Sequence, residues 1–259
     1  MFKTKDREKT MNNIHEEIYS IRSYEIDFRG RISIQSICRY LGEAAGNHAA
    51  ELGASVEAMW NKKMTWVISR LHLHMQKYPG WRETVRIETW PSGRENLFAI
   101  RDYRISSGQG EVIGNATTSW MVIDLARKKP VPLPDFVTQI PIPDVPRALY
   151  DPFEKLPDPG NADLNRTFEV RLSDLDINQH VNFVNYIEWA VETVPAETRN
   201  DFRLEELEVS YRAESRYGDR IISGIQRSGQ GNRQVLLHRL LRESDRKEVA
   251  VLRTGWSPR

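Results

Sequence analysis

The chain has 259 residues, 39% apolar and 28% charged, enough for one large domain or two of about 100–150 residues. Both charge signs are interspersed, which excludes disorder, collagen and coiled coil. With 37 Lys and Arg against 36 Asp and Glu, the formal net charge is +1, so no global field draws the protein to nucleic acid or an anionic membrane.

A single cysteine, Cys38, excludes an intrachain disulfide and a cysteine-rich metal site. No apolar run approaches the roughly 18 residues of a membrane span. Met1 to Thr10 is charged and lacks the apolar stretch of a secretion signal. These features predict a soluble, cytoplasmic protein, with residues 1–17 as a disordered lead-in.

A first folded block is expected over 18–129. Tyr24 to Phe28 alternates apolar and polar residues, as in a half-buried strand. Ile34, Ile37, Cys38, Leu41, Ala45, Ala49 and Leu52 then recur at three- and four-residue spacing, one apolar stripe on a helix that Gly53 stops. Four β-patterned runs follow, Trp66–Met75, Val85–Trp90, Leu97–Ile105 and Ala116–Leu125, separated by turn signals such as Ser107-Gly108-Gln109-Gly110.

Nine of the thirteen prolines fall between Pro130 and Pro159. Proline cannot donate to a sheet ladder, so 130–165 is expected to be a linker with at most short ordered pieces. A second block, 166–259, repeats the order of the first. Phe168–Leu172 is its strand, and Val184, Ile187, Val191 and Val194 are its helical stripe, ended by Pro195. The runs Leu204–Ala213, Arg220–Gln226, Gln234–Leu241 and Val249–Trp256 are its sheet, with a turn at Ser228-Gly229-Gln230-Gly231. Hairpin connections make such sheets antiparallel, and the one long helix must cover a sheet face. The fold class is therefore α+β, a curved antiparallel sheet wrapped on one helix and then duplicated: a tandem hot dog.

The richest polar cluster is Asp174-Leu175-Asp176-Ile177-Asn178-Gln179-His180-Val181-Asn182. In an extended segment the side chains of Asp176, Asn178 and His180 would project to one side. A helix starting near Val181 or Asn182 would offer unpaired N–H groups and the positive end of its dipole to an oxyanion. The plainer reading is capping, since Asp and Asn commonly precede helices. Against it, the corresponding Gly30-Arg31-Ile32-Ser33-Ile34 of the first block carries no such cluster. Glu214 adds an acid within Tyr211-Arg212-Ala213-Glu214-Ser215.

Asp176-Ile177-Asn178-Gln179-His180-Val181-Asn182, continuing through Asn185-Tyr186-Ile187-Glu188-Trp189, resembles the signature of the acyl-acyl carrier protein thioesterases of plants and bacteria. Tyr211-Arg212-Ala213-Glu214-Ser215 is similar to that family's Tyr-Arg-X-Glu-Cys. Trp66 to Arg70, Tyr78-Pro79-Gly80-Trp81, Glu88-Thr89-Trp90, Ser119 to Val122 and Arg127-Lys128-Lys129-Pro130 look like its N-terminal half. The resemblance implies a tandem hot dog that releases free fatty acids from the carrier, with Asp176, Asn178, His180 and Glu214 at the positions regarded as catalytic. Ser215 departs from the pattern, since many members have cysteine there. Cys38 lies on the apolar stripe and reads as a small buried hydrophobe, so a thiolate nucleophile is not expected.

Two routes stay open: water activated by Glu214 and His180, or direct carboxylate attack through an anhydride. Neither needs a metal or other cofactor, and no metal-ligand spacing is found; His72 and His74 on one strand are expected to face solvent or a pocket wall. The resemblance gives the acyl pocket to the first half, with walls on Trp66–Met75 and Ile34–Leu52, and the chemistry to the second. It implies an acidic acyl carrier protein as partner, docked by a basic face. Arg166, Arg171, Arg212, Arg216 and Arg220 flank the reactive segments, and Arg127-Lys128-Lys129 forms another cluster. Plant members carry a transit peptide and a hydrophobic N-terminal stretch that are not seen here. A monomer or homodimer is compatible. Alternatives are an acyl-coenzyme A thioesterase, a non-catalytic module binding acyl thioesters, and a dehydratase.

Overall fold

The computed structural model describes residues 13–160, 162–228 and 233–259. The chain divides into two units. The N-terminal unit runs to Ser69 and resumes over Gln76–Asp151; the C-terminal unit takes Arg70–Met75 and Pro152–Arg259.

In the N-terminal unit, β1 (His15–Ser20) precedes α1 (Ile34–Glu51) and a short α2 (Val56–Trp60). β2 (Met64–Met75), β3 (Thr84–Glu95), β4 (Phe98–Ser107) and β5 (Val112–Asp124) follow. β6 (Lys129–Val131) and α3 (Asp135–Thr138) come last. The strands lie in the order β1-β3-β4-β5-β2, with β6 on the edge of β5.

α1 packs on β3 and β1. Ser33 caps it by accepting the Ser36 N–H at 3.2 Å. Ile37 and Cys38 are completely buried on its inner face, with Leu41 and Ala44 beside them. Burial of a side chain the size of Ile37 contributes about 1.5–3 kcal/mol. Gly53, at φ +71, ends the helix in the left-handed region, where a side chain would be strained.

The C-terminal unit repeats this plan. β7 (Leu164–Glu169) and a 3₁₀ turn (Leu172–Asp174) lead into α4 (Phe183–Thr193) and α5 (Ala196–Asp201). β8 (Phe202–Tyr211), β9 (Arg220–Arg227), β10 (Gln234–Arg242) and β11 (Glu248–Pro258) follow. The order is β8-β11-β10-β9-β7, all pairs antiparallel, and Arg70–His74 of β2 adds beside β8. α4 packs on β7, β9, β10 and β11. Each unit is thus a hot dog, one helix held in a curved antiparallel sheet.

The eight β-patterned runs all emerge as strands, most of them longer than expected, because hairpin pairing continues past the apolar residues. Three expectations need correction. The strand expected over Phe168–Leu172 lies earlier, over Leu164–Glu169, beginning inside the expected linker, and Leu172–Asp174 is a 3₁₀ turn. Tyr24–Phe28 is not a strand: apart from a bridge between Ile26 and Ile32, it is a turn closed by Glu25 and Asp27. The Arg22 N–H donates to Glu25 at 2.7 Å, and the Arg29 and Arg31 N–H groups donate to Asp27 at 2.9 and 3.0 Å. Alternation cannot separate a strand from carboxylates spaced to cap a turn. The first strand of the unit is instead β1, paired with β3 and starting within the expected lead-in. Residues 1–12 of that lead-in, and Gly229, Gln230 and Gly231 of the expected turn, lie outside the described residues.

Asp102, completely buried on β4, ties part of the proline-rich stretch to the N-terminal sheet. It accepts from Arg147 Nε, the Ala148 N–H, Ser92 Oγ and Thr117 Oγ1, each at 2.8 Å.

Candidate active site

The polar motif of the C-terminal unit forms a closed loop ahead of α4, not the extended segment expected. The Asp176 N–H donates to the His180 carbonyl at 2.8 Å and the Gln179 N–H to the Asp176 carbonyl at 3.0 Å, while Leu175 bridges Val181. Gln179 takes φ +60 to close the turn. The Asp176 carboxylate turns inward, accepting the N–H groups of Asn178 at 2.8 Å and His180 at 3.4 Å. Asp176 therefore reaches His180 through the backbone, not the imidazole. A carboxylate two residues ahead of a free amide closes an Asx turn, and this local bond wins over extension.

The base of the loop is fixed from below. The Asn182 N–H and the Asn185 side-chain amide both donate to the Asp174 carbonyl, at 2.8 and 2.7 Å. Asp174 is buried and accepts from Arg171 Nη2 at 2.8 Å.

α4 begins at Phe183, and Asn182 caps it by accepting the Val184 N–H at 3.1 Å. The Val181 N–H donates to the Ser215 carbonyl at 2.9 Å, and the Asn185 N–H to the Asn182 carbonyl at 3.0 Å. The N–H groups of Val181, Asn182, Val184 and Asn185, in the region expected to hold an oxyanion, are thus engaged within the fold. Cap and cross-loop bond satisfy them first.

Glu214 arrives from the other side. β8 ends at Tyr211, where the N–H groups of Arg212 and Ala213 share the Val249 carbonyl, at 2.9 and 3.3 Å, and the chain leaves the ladder. Arg242 Nη1 donates to the Glu214 carbonyl at 3.0 Å. The Val181–Ser215 bond ties this loop to the first one.

These ties bring Glu214 Oε2 to 3.1 Å from His180 Nε2, with the two side chains 50% and 30% exposed. Arg216 Nη2 lies 3.3 Å from Glu214 Oε1 and 3.4 Å from His180 Nε2. When the imidazole donates its Nε2 proton to Glu214, the guanidinium is left the other carboxylate oxygen. The Asn178 side-chain amide makes no hydrogen bond among the described residues and is available to a ligand. Of the four predicted site residues, the fold joins His180 and Glu214 directly, gives Asp176 to the loop and leaves Asn178 open.

Ser215 is completely buried, and its hydroxyl faces the Tyr186 phenol, which burial pushes up to about 12, so no base stands beside it to activate it as a nucleophile. Cys38 is likewise buried, and burial pushes its thiol up to about 12.

Sequence reasoning missed Arg242, which lies far along the chain with no motif around it. Arg216 was read as a docking charge. Each flanking arginine expected to form a basic face has a carboxylate beside it: Arg166 with Glu192, Arg171 with Asp174, Arg212 with Glu248, Arg216 with Glu214 and Arg220 with Glu243.

His72, expected to face solvent or a pocket wall, instead joins Glu206 and Glu208 of β8, with one ligand atom from each within 4.8 Å of the others. Arg233 Nη2 donates to Glu206 at 2.6 Å, and Arg253 bonds Glu208 and lies 3.4 Å from Glu206. The guanidiniums already neutralise the charge a cation would need. The His72 hydrogen bond and these arginines, outweighing burial, draw the Glu206 carboxyl down to about 2.

The N-terminal unit holds a cavity of about 210 Å³ between α1, β3, β4 and α3. Gly42, Ala45, Gly46 and Ala49 lie along one face of α1 at helical spacing, and their small side chains leave the space unfilled, while Trp66, Trp120 and Ile100 give apolar wall. Of the two expected walls, the helix contributes strongly. β2 contributes only Trp66, because Leu71, Leu73 and Met75 are packed into the interior.

Two family models match the chain, the acyl-ACP thioesterase N-terminal domain over residues 12–140 and the C-terminal domain over residues 158–258. A chloroplastic acyl-[acyl-carrier-protein] hydrolase of Cuphea viscosissima is 32% identical over 258 residues, covering 93% of this chain and 62% of its own length. The chain thus spans about three fifths of that relative. Among solved structures, an acyl-ACP thioesterase from Bacteroides thetaiotaomicron superposes with TM-score 0.84 at 26% identity, covering 96% of this chain and 99% of its own. The 12:0-ACP thioesterase of Umbellularia californica gives TM-score 0.84 at 26% identity, over 96% and 98%. With both family models matched in order and the motif loops folded against each other, this chain belongs to the acyl-ACP thioesterase family.

Proposed function

We infer that the protein hydrolyses the thioester of a fatty acyl chain carried on acyl carrier protein, giving the free fatty acid and the carrier thiol. The observation that carries this reading is the 3.1 Å contact between His180 Nε2 and Glu214 Oε2, an acid–imidazole pair within reach of one water. Glu214, with His180, takes a proton from a water whose oxygen attacks the thioester carbonyl carbon. As the C–S bond breaks, the same pair returns the proton to the departing sulfur.

The open Asn178 amide orients the water or donates to the carbonyl oxygen as it gains charge. Asp176 acts as a positioning residue by holding the backbone of Asn178 and His180. The cavity of the N-terminal unit is assigned to the acyl chain, since its walls are largely apolar. The protein is read as acting in the cytoplasm.

The test is thiol release from acyl carrier and acyl-coenzyme A substrates of several chain lengths. Carrier-bound substrate should be cleaved by the wild type and by Cys38→Ala, and about 10²–10⁴-fold more slowly by His180→Ala and Glu214→Gln. Faster cleavage of the coenzyme A form would move the assignment to an acyl-coenzyme A thioesterase. Binding of either thioester with no thiol released would make the protein a non-catalytic module.

A further inference from the structure

One surface of the N-terminal unit carries charge that the fold leaves unbalanced. The turn between α2 and β2 presents Lys62 and Lys63, and the turn between β5 and β6, with the first residue of β6, presents Arg127, Lys128 and Lys129; all five are exposed. The turns are adjacent, because the Leu125 N–H donates to the Lys63 carbonyl at 3.0 Å. Among the described residues none of the five has a carboxylate partner, in contrast to the arginines that flank His180 and Glu214.

Two acids share these stretches, and neither forms an ion pair with the five cations among the described residues: Asp124 accepts the N–H groups of Ala126 and Arg127 at 2.9 and 2.8 Å, and Glu57 bonds at the start of α2. Both turns are rigidly built: Lys63 and Lys128 hold φ +57 and +51, and the Lys128 N–H donates to the Asp124 carbonyl at 2.8 Å. Lys62 lies over the Phe136 ring, 5.1 Å from its centre. The next residue, Val137, lines the cavity assigned to the acyl chain.

We propose that these two turns are the docking surface for an acidic protein, the acyl carrier that presents the substrate. The proposal rests on the thioesterase reading above and names where its partner binds. A chain of net charge +1 attracts an acidic partner only through a local field, which reaches about 8 Å at physiological salt. Five cations without ion-pair partners, on two fixed turns, supply that field and match the acidic surface of a carrier. A lipid surface fits less well: the only large apolar side chains in these two turns and their flanks that reach solvent are Trp60 and Leu125, 37% and 43% exposed, too little to anchor in a bilayer.

The experiment compares the full chain with Arg127→Glu/Lys129→Glu and with Lys62→Glu. Each is given the same acyl group on acyl carrier protein and on a small pantetheine thioester. At low ionic strength kcat/KM for the carrier substrate should fall about tenfold or more in the double variant, with kcat/KM for the small thioester unchanged. Added salt should lower the wild-type value on the carrier and barely move the variant's. Binding of fluorescently labelled carrier, read by anisotropy, needs no turnover and should weaken in parallel.

Unchanged carrier kcat/KM and anisotropy in both variants would overturn the docking surface while leaving the hydrolase reading intact. If the wild type cleaves neither substrate, the hydrolase reading fails and anisotropy alone decides the docking. Phosphatidylglycerol vesicles that bind the wild type and release the variant, with carrier binding unaltered, would make the surface a lipid contact instead.

Discussion

Asp102 offers the sharpest test of how the N-terminal unit is held together. Its carboxylate is fully buried, and four donors converge on it at 2.8 Å each. Two of them, Arg147 Nε and the Ala148 N–H, belong to the stretch after α3 that has little regular structure to anchor it. Replacing Asp102 with Ala strands the Arg147 guanidinium, whose side chain is only 26% exposed, and leaves the Ser92 and Thr117 hydroxyls to find other partners.

Breaking a buried pair from one side costs about 3–5 kcal/mol, a large share of the 5–15 kcal/mol that holds a domain together. Arg147→Ala keeps three of the four donors and should cost less, about 1.5–3 kcal/mol. Urea unfolding of both single variants and the double, followed by tryptophan fluorescence, gives the coupling energy directly. A loss under 1 kcal/mol for Asp102→Ala, or additive single effects, would refute the claim that this carboxylate fastens the segment.

Burial holds both His48 and His238 down to about 3, with Arg101 adding to the effect at His48. Both are neutral in the fold and titrate near 6.5 when unfolded, so their contribution is complete above pH 6.5 and is lost as pH falls toward 3. The slope approaches two protons, about 2.7 kcal/mol per pH unit, and His238→Gln should halve it in urea melts at pH 5 and 4. Ser215→Cys replaces a completely buried hydroxyl that faces the Tyr186 phenol, and thiol release should persist; a hundredfold loss of activity at unchanged stability would put the hydroxyl in the chemistry. Asp176→Asn retains an acceptor for the loop amides and should keep most activity, whereas Asp176→Ala should lower kcat; a hundredfold fall in the Asn variant would put the carboxylate in the chemistry. Ala49→Leu, on the cavity-lining face of α1, should shift thiol release toward shorter acyl chains, and an unaltered chain-length profile would remove the cavity from acyl binding.

Much of this protein can be read along its chain. Apolar spacing of two and of three to four is a local consequence of backbone geometry, so the two long helices and the eight principal strands are visible in the order of residues. The motif from Asp176 to Asn182 is contiguous and stands out for the same reason. β1 was hidden because its neighbour Tyr24–Phe28 alternates as well as a strand does, and the carboxylates that close that stretch into a turn act through bonds no pattern records.

What folding alone decided is which groups meet. Glu214 reaches His180 because two loops are tied by the Val181–Ser215 bond, with the Glu214 carbonyl held by Arg242. Asp176 turned away from the imidazole because free amides lay closer. The arginines around the site found carboxylates, while Lys62, Lys63 and Arg127 to Lys129 did not. Each outcome depends on contacts between residues distant in the chain or on competition among local donors, and such pairings are settled only when the backbone has closed around them.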